Sequence, residues 1–113
     1  MCQIPKTHVR VTNDLGGDLT LSVHCKSKDD DIGVQVLPPH ASFQFSFRPH
    51  VTGLTLFFCG FRWPGEFRWF DIYTAMRDQG VCFNCFWSIG PDGPCMFNEE
   101  SQKYDICYSW NRN

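Results

Sequence analysis

The stretch "LTLFFCGFRWPGEFRWFDIY", residues 54–73, sets two apolar runs on either side of a Pro-Gly turn. The first run, "LTLFFCGF", is almost continuously apolar, as expected of a central strand. "WPGE" then supplies turn chemistry, because proline presets φ and glycine accepts a positive one. The second run alternates: Phe67, Trp69 and Tyr73 fall on one face, Phe70 and Ile72 on the other. A period of two marks a strand, and a period of 3.6 is absent.

The same period continues outward. Val9 and Val11 alternate with polar neighbours; Leu19, Leu21, Val23 and Cys25 share a face, as do Phe43, Phe45 and Phe47. Cys85, Trp87 and Ile89 form another set, and Tyr104, Ile106, Tyr108 and Trp110 a last one. Turn clusters ("NDLGG" at 13–17, "LPPH" at 37–40, "RPHVTG" at 48–53, "GPDGP" at 90–94) separate these runs. Strands at spacings of about eight to twelve residues predict a sandwich or barrel. The expectation is an all-β protein: a disulfide-stabilised antiparallel β-sandwich of about eight strands. Its Phe-rich faces would turn inward, leaving Thr, Ser, Gln and Arg outside. Only "DIYTAMRDQG", residues 71–80, leaves room for a helical turn.

A chain of 113 residues reads as a single domain over 1–113. Eleven Phe and four Trp must fill much of its core. The net charge of −2 argues against a nucleic-acid partner, which calls for a basic stripe facing phosphates. No apolar run approaches the roughly 18 residues of a membrane span. "MCQIPKTHVR" lacks the apolar centre of a secretory leader, so the chain reads as a mature form whose signal peptide is removed.

Seven cysteines in so short a chain predict an oxidised, extracellular setting, where disulfides reinforce a small core. Cys95 and Cys107 flank the polar "NEESQK"; folding this segment as a hairpin brings them opposite each other. Cys25, Cys59, Cys82 and Cys85 leave their connectivity open. The count is odd, and Cys2, ahead of the first strand, is the candidate for a free thiol.

Other groupings invite chemistry and do not support it. Asp29, Asp30 and Asp31 are consecutive, so their side chains diverge, and no glutamate follows at calcium-loop spacing. The run reads as a charged turn, with one aspartate accepting bonds from its backbone N–H groups. "CFNC" at 82–85 has no second pair and no spaced histidines for zinc, and no βαβ context for redox catalysis. "FRWPGEFRWF" could stack sugars if its tryptophans were exposed in a row, but serves equally as a core edge. There is no G-x-S-x-G elbow. No metal, cofactor or enzymatic activity is expected.

Taken together, "VRVTNDLGGDLTLSVHCKSKDDDIG", "SFQFSFRP", "TLFFCGFRWPGEFRWFDIY", "CFNCFWSIGPDGPC" and "YDICYSW" closely resemble the plant self-incompatibility protein family, the S-protein homologues. The likeness runs from about residue 9 to 110. It implies a small secreted plant protein with a disulfide-held β-sandwich and no enzymatic activity. The family's founding members are pistil ligands read by a pollen membrane receptor, whose engagement triggers calcium influx and pollen-tube death. For this chain the resemblance implies an extracellular signalling ligand for a plant cell-surface receptor; a monomer is expected. A cell-wall carbohydrate-binding or defence-related role is the alternative. The family's common cysteines correspond to Cys25, Cys59, Cys82 and Cys85, while the Cys95 and Cys107 pair occurs in part of the family. Partner choice would lie on loops at 26–31, 49–53, 77–81 and 98–103. The candidate contact residues are Lys26, Lys28, Asp29, Asp30, Asp31, Arg77, Asp78 and Gln79.

Overall fold

A computed structural model describes residues 5–50 and 53–112. Nine strands follow one another: β1 (Thr7–Asn13), β2 (Leu21–Lys26), β3 (Asp31–Leu37), β4 (Ser42–Phe47), β5 (Leu56–Trp63), β6 (Glu66–Thr74), β7 (Asn84–Gly90), β8 (Gly93–Asn98) and β9 (Lys103–Cys107). A single helical turn, α1 (Ala75–Asp78), follows β6. The strands form two sheets, ordered β4-β1-β7-β8-β9 and β3-β2-β5-β6. Stacked as a sandwich, they bury the alternating sets read from the sequence. Val9, Val11, Leu21, Val23, Cys25, Cys85, Trp87 and Ile89 are all fully buried. Phe43, Phe45 and Phe47 step along β4 with centroids 6.1 Å apart, and Phe47 meets Phe57 of the opposite sheet at 4.5 Å.

The chain closes three disulfides: Cys25–Cys59, Cys82–Cys85 and Cys95–Cys107. Two of them join residues that face each other across antiparallel neighbours, β2 with β5 and β8 with β9. Cys2, the expected free thiol, lies outside the described residues.

Three departures from the sequence reading have local causes. First, the sheets are not wholly antiparallel, since β1 pairs with β7 in parallel from His8↔Asn84 to Asn13↔Ile89. A parallel pair needs a long crossover, and here the chain makes it through the other sheet. Second, β6 does not keep strict alternation. Phe57 pairs with Tyr73 but Cys59 pairs with Phe70, so β6 carries one extra residue there. That bulge turns both Ile72 and Tyr73 into the core, separating Tyr73 from the face of Phe67 and Trp69. Third, the outside of the sandwich is not uniformly polar. Arg10, Thr12, Gln44 and Ser46 alternate outward on the five-stranded sheet. The four-stranded sheet instead exposes Val34, Val36, Leu56 and Phe67.

Candidate functional site

The register places every candidate loop at the same end of the sandwich. β2 ends at Lys26 opposite Phe58, near the start of β5, so the 27–30 turn neighbours the residues 53–55 that lead into β5. β6 ends with Thr74 opposite Leu56, which sets α1 beside them. β1 begins with Thr7 opposite Phe47, and His8 pairs with Asn84 at the start of β7. β8 runs back toward that end, so the 99–102 turn joins the group. Two of the loops share a hollow of about 550 Å³, lined by Lys28, Asp29, Asp30, Arg48, His50 and Leu54 among others. Thr55 ties the cluster together: its hydroxyl accepts from His50 N at 2.7 Å and its carbonyl from Ala75 N at 3.1 Å.

The aspartate run works as a turn. Ser27 N donates to the Asp30 carbonyl at 2.7 Å, and Asp30 N donates to Ser27 Oγ at 3.0 Å. Asp31 Oδ1 accepts from Gly33 N at 2.9 Å, the backbone bond expected of one aspartate in this run. β3 carries an extra residue here, and Gly33 has φ +86°, a left-handed conformation suited to glycine at a bulge. The same Asp31 oxygen lies 2.7 Å from His24 Nε2.

The Gly33 amide, and next the bond to His24, hold the Asp31 carboxyl below its usual value of 3.8. A lowered folded-state value means that this contribution is complete above 3.8 and is lost as pH falls through the folded value. In a carboxyl-carbon NMR titration, the Asp31 midpoint is expected below 3.8, with the Gly33 amide resonance moving in step. A midpoint at or above 3.8 contradicts the arrangement.

The candidate residues therefore divide. Lys28, Asp29 and Asp30 are exposed in the turn. Lys26 and Asp31 belong to strands β2 and β3 and flank it. Arg77 and Asp78 are not displayed, contrary to expectation. Asp78 is fully buried, and its carboxylate takes bonds from Arg77 Nε at 2.8 Å, Arg77 Nη2 at 2.7 Å and Thr74 N at 3.0 Å. Arg77 also donates to the Asp71 carbonyl at 2.9 Å and lies 5.1 Å from the rings of Phe70, Trp87 and Tyr108. The pair anchors α1 to the core, and Gln79 behind it is half-buried.

Sequence reasoning missed several apolar side chains that are exposed at this end. Met76 is wholly exposed, Leu54 81% exposed and Val81 70%, and Phe83 is exposed too. Leu54 precedes β5, Met76 lies in α1, and Val81 and Phe83 precede β7, all at the loop end, and Leu54 lines the hollow with Lys28, Asp29 and Asp30. Met76 was legible as a lone apolar residue in the polar "TAMRD", whereas Leu54 was hidden at the head of an apolar run.

The tryptophans do not line up as a stacking row. Trp63 and Trp87 are buried, and Trp110 packs on Phe61 and Trp63 at 5.3 and 6.1 Å. Trp69 lies on the outer face of the four-stranded sheet. Among the described residues, no three His, Cys, Asp or Glu side chains gather as a metal site, and no helix is long and apolar enough to cross a membrane.

This architecture has known counterparts. Residues 8–110 match the family described as "Plant self-incompatibility protein S1". S-protein homolog 3 of Arabidopsis thaliana is 52% identical over 110 residues, covering 93% of this chain and 73% of the relative. S-protein homolog 4 of the same plant is 50% identical over 113 residues, covering 96% of this chain and 74% of the relative. Among solved structures, a self-incompatibility protein homologue superposes with a TM-score of 0.69 at 21% identity, over 96% of this chain and 97% of that one. That structure represents what is described as a widespread family of small, highly stable, secreted plant proteins. A match over nearly the whole chain and relatives at half identity make this protein a member of the plant self-incompatibility protein S1 family.

Proposed function

We propose that the protein is a secreted extracellular signalling ligand, read by a plant cell-surface receptor through the loop end of the sandwich. The observation that carries this reading is the exposure of the apolar Leu54, Met76, Val81 and Phe83 at the same end of the sandwich that displays the charged turn residues Lys28, Asp29 and Asp30. Apolar anchors inside a polar rim are the usual composition of a recognition surface. A sandwich held by disulfides presents such loops at low entropic cost, since little ordering is left for binding. The charges set specificity and encounter rate more than affinity. The mechanism is surface complementarity without covalent chemistry.

The test is binding to plant plasma-membrane vesicles. The double variant Met76→Asp/Val81→Asp is expected to bind at least about tenfold more weakly, because two exposed anchors of roughly 1 kcal/mol or more each are lost. Both residues are solvent-exposed, so the fold is retained. Undiminished vesicle binding by the folded double variant overturns the proposal.

A further inference from the structure

The outer face of the four-stranded sheet carries a second, separate feature. Apart from Lys26, Leu56 and Phe58, which border the loop end, its residues belong to the sheet face, so a ligand held around Gly60 and Arg62 is tested separately from the receptor reading. The central strand β5 places Gly60 on this face between Phe58 and Arg62. Gly60 pairs with His24 on one side and Trp69 on the other. With no side chain at Gly60, the sheet has a depression there. A Cβ would lie 3.2 Å from the Phe67 ring, so any larger residue starts to fill it. Val34 forms one shoulder, and the whole trough encloses about 790 Å³. That volume lies in the range of roughly 300–1,000 Å³ typical of small-molecule sites, which are mainly apolar with a few placed polar groups.

The polar groups are asymmetric. Lys26 stands over the Phe58 ring at 5.9 Å, and Arg62 over the Phe67 ring at 4.8 Å. Neither makes an ion pair among the described residues. The carboxylates nearby are otherwise engaged: Asp31 with His24 and the Gly33 amide, Asp71 with the Asn111 side chain at 3.4 Å. Arg62 pairs across the ladder with Ser22, whose hydroxyl lies on the same face. From Phe58 to Arg62 the strand runs about 13 Å, so the two cations bracket the apolar floor.

We propose that this trough binds a small ligand made of a compact apolar ring bearing a carboxylate. The ring rests in the depression over Gly60 between Trp69 and His24. The carboxylate takes the guanidinium fork of Arg62, with the Ser22 hydroxyl as a second donor. A planar guanidinium offers two parallel N–H groups to a carboxylate, which explains the preference for an acid over its neutral analogue. Binding here is non-covalent, and its apolar share comes from removing Val34, Phe67 and Trp69 surface from water.

The test uses 2-naphthoate and its neutral isostere 2-naphthalenemethanol, titrated into the isotopically labelled, disulfide-intact protein and followed by amide and indole NMR shifts. The naphthoate is expected to give saturable shifts confined to His24, Gly60, Arg62 and the Trp69 indole, with a dissociation constant below about 1 mM. The alcohol should bind at least about tenfold more weakly. Arg62→Gln should remove the difference between the two probes, and Gly60→Val should abolish binding of both. If Gly60→Val does not fold, the comparison of probes on Arg62→Gln decides. Scattered or unsaturable shifts, equal affinity for acid and alcohol, or unchanged naphthoate affinity in Arg62→Gln each overturn the proposal.

Discussion

Replacing Cys25 and Cys59 together with alanine should lower the free energy of unfolding by about 4 kcal/mol, the largest loss among the three disulfides. The expected order follows from what each bond removes from the unfolded ensemble. Cys25–Cys59 spans 34 residues, Cys95–Cys107 spans 12, and Cys82–Cys85 only 3. On chain entropy alone these closures are worth about 4, about 3 and under about 2 kcal/mol. Burial widens the gap. Both half-cystines of the first bond are fully buried next to the Val23–Phe61 cross-strand pair, so their loss also leaves a cavity. Cys107 is exposed and Cys82 half-buried, so water can fill the space they leave. Chemical denaturation of the three paired-alanine variants, followed by tryptophan fluorescence, gives the ranking. A Cys82/Cys85 variant as destabilised as the Cys25/Cys59 variant would falsify the entropic account.

The second large effect concerns the anchor beneath α1. Asp78→Ala is expected to cost about 3–5 kcal/mol, the range for removing one partner of a buried ion pair. The loss strands the Arg77 guanidinium, only 21% exposed, among Phe70, Trp87 and Tyr108. It also leaves the Thr74 amide without its acceptor. Removing both charges is different, because apolar replacement of a buried pair is often neutral or stabilising. Arg77→Met/Asp78→Leu should therefore recover much of the stability lost in Asp78→Ala. A double-mutant cycle built on urea unfolding measures this coupling. If Asp78→Ala costs less than about 1 kcal/mol, the pair does not anchor α1.

These two sites show where sequence reading reaches and where it stops. Alternation identified the buried faces of β2 and β7, because Leu21, Val23, Cys25 and Cys85, Trp87, Ile89 have no other way to leave water. Cys95 and Cys107 could be paired because the hairpin between them is short and local. Arg77 and Asp78 were misplaced for the opposite reason. "MRDQG" has turn composition, and only packing against Phe70, Trp87 and Tyr108 draws its two charges inward. The exposed valines of β3 were equally hidden. A period of two separates two faces without saying which turns inward, and on β3 it is Val34 and Val36 that face out while Gln35 lies on the other face. The gathering of four loops at one end depends on strand order and direction, which no single window of sequence encodes.

The pairing of β1 with β7 bears on how the chain acquires its shape. The parallel partner of His8 is Asn84, more than seventy residues later. A strand at the interior of its sheet thus waits for most of the chain before one of its edges is satisfied. Contacts this distant slow folding, placing such a topology among domains that fold in milliseconds to seconds. Until β7 arrives, Val9 and Val11 and one rank of backbone donors remain open to other chains. The β2–β5–β6 sheet, closed by neighbours and by Cys25–Cys59, can form earlier and give β1 a surface to wait against. Biogenesis of this protein is therefore a problem of timing: its first strand is made early and completed late.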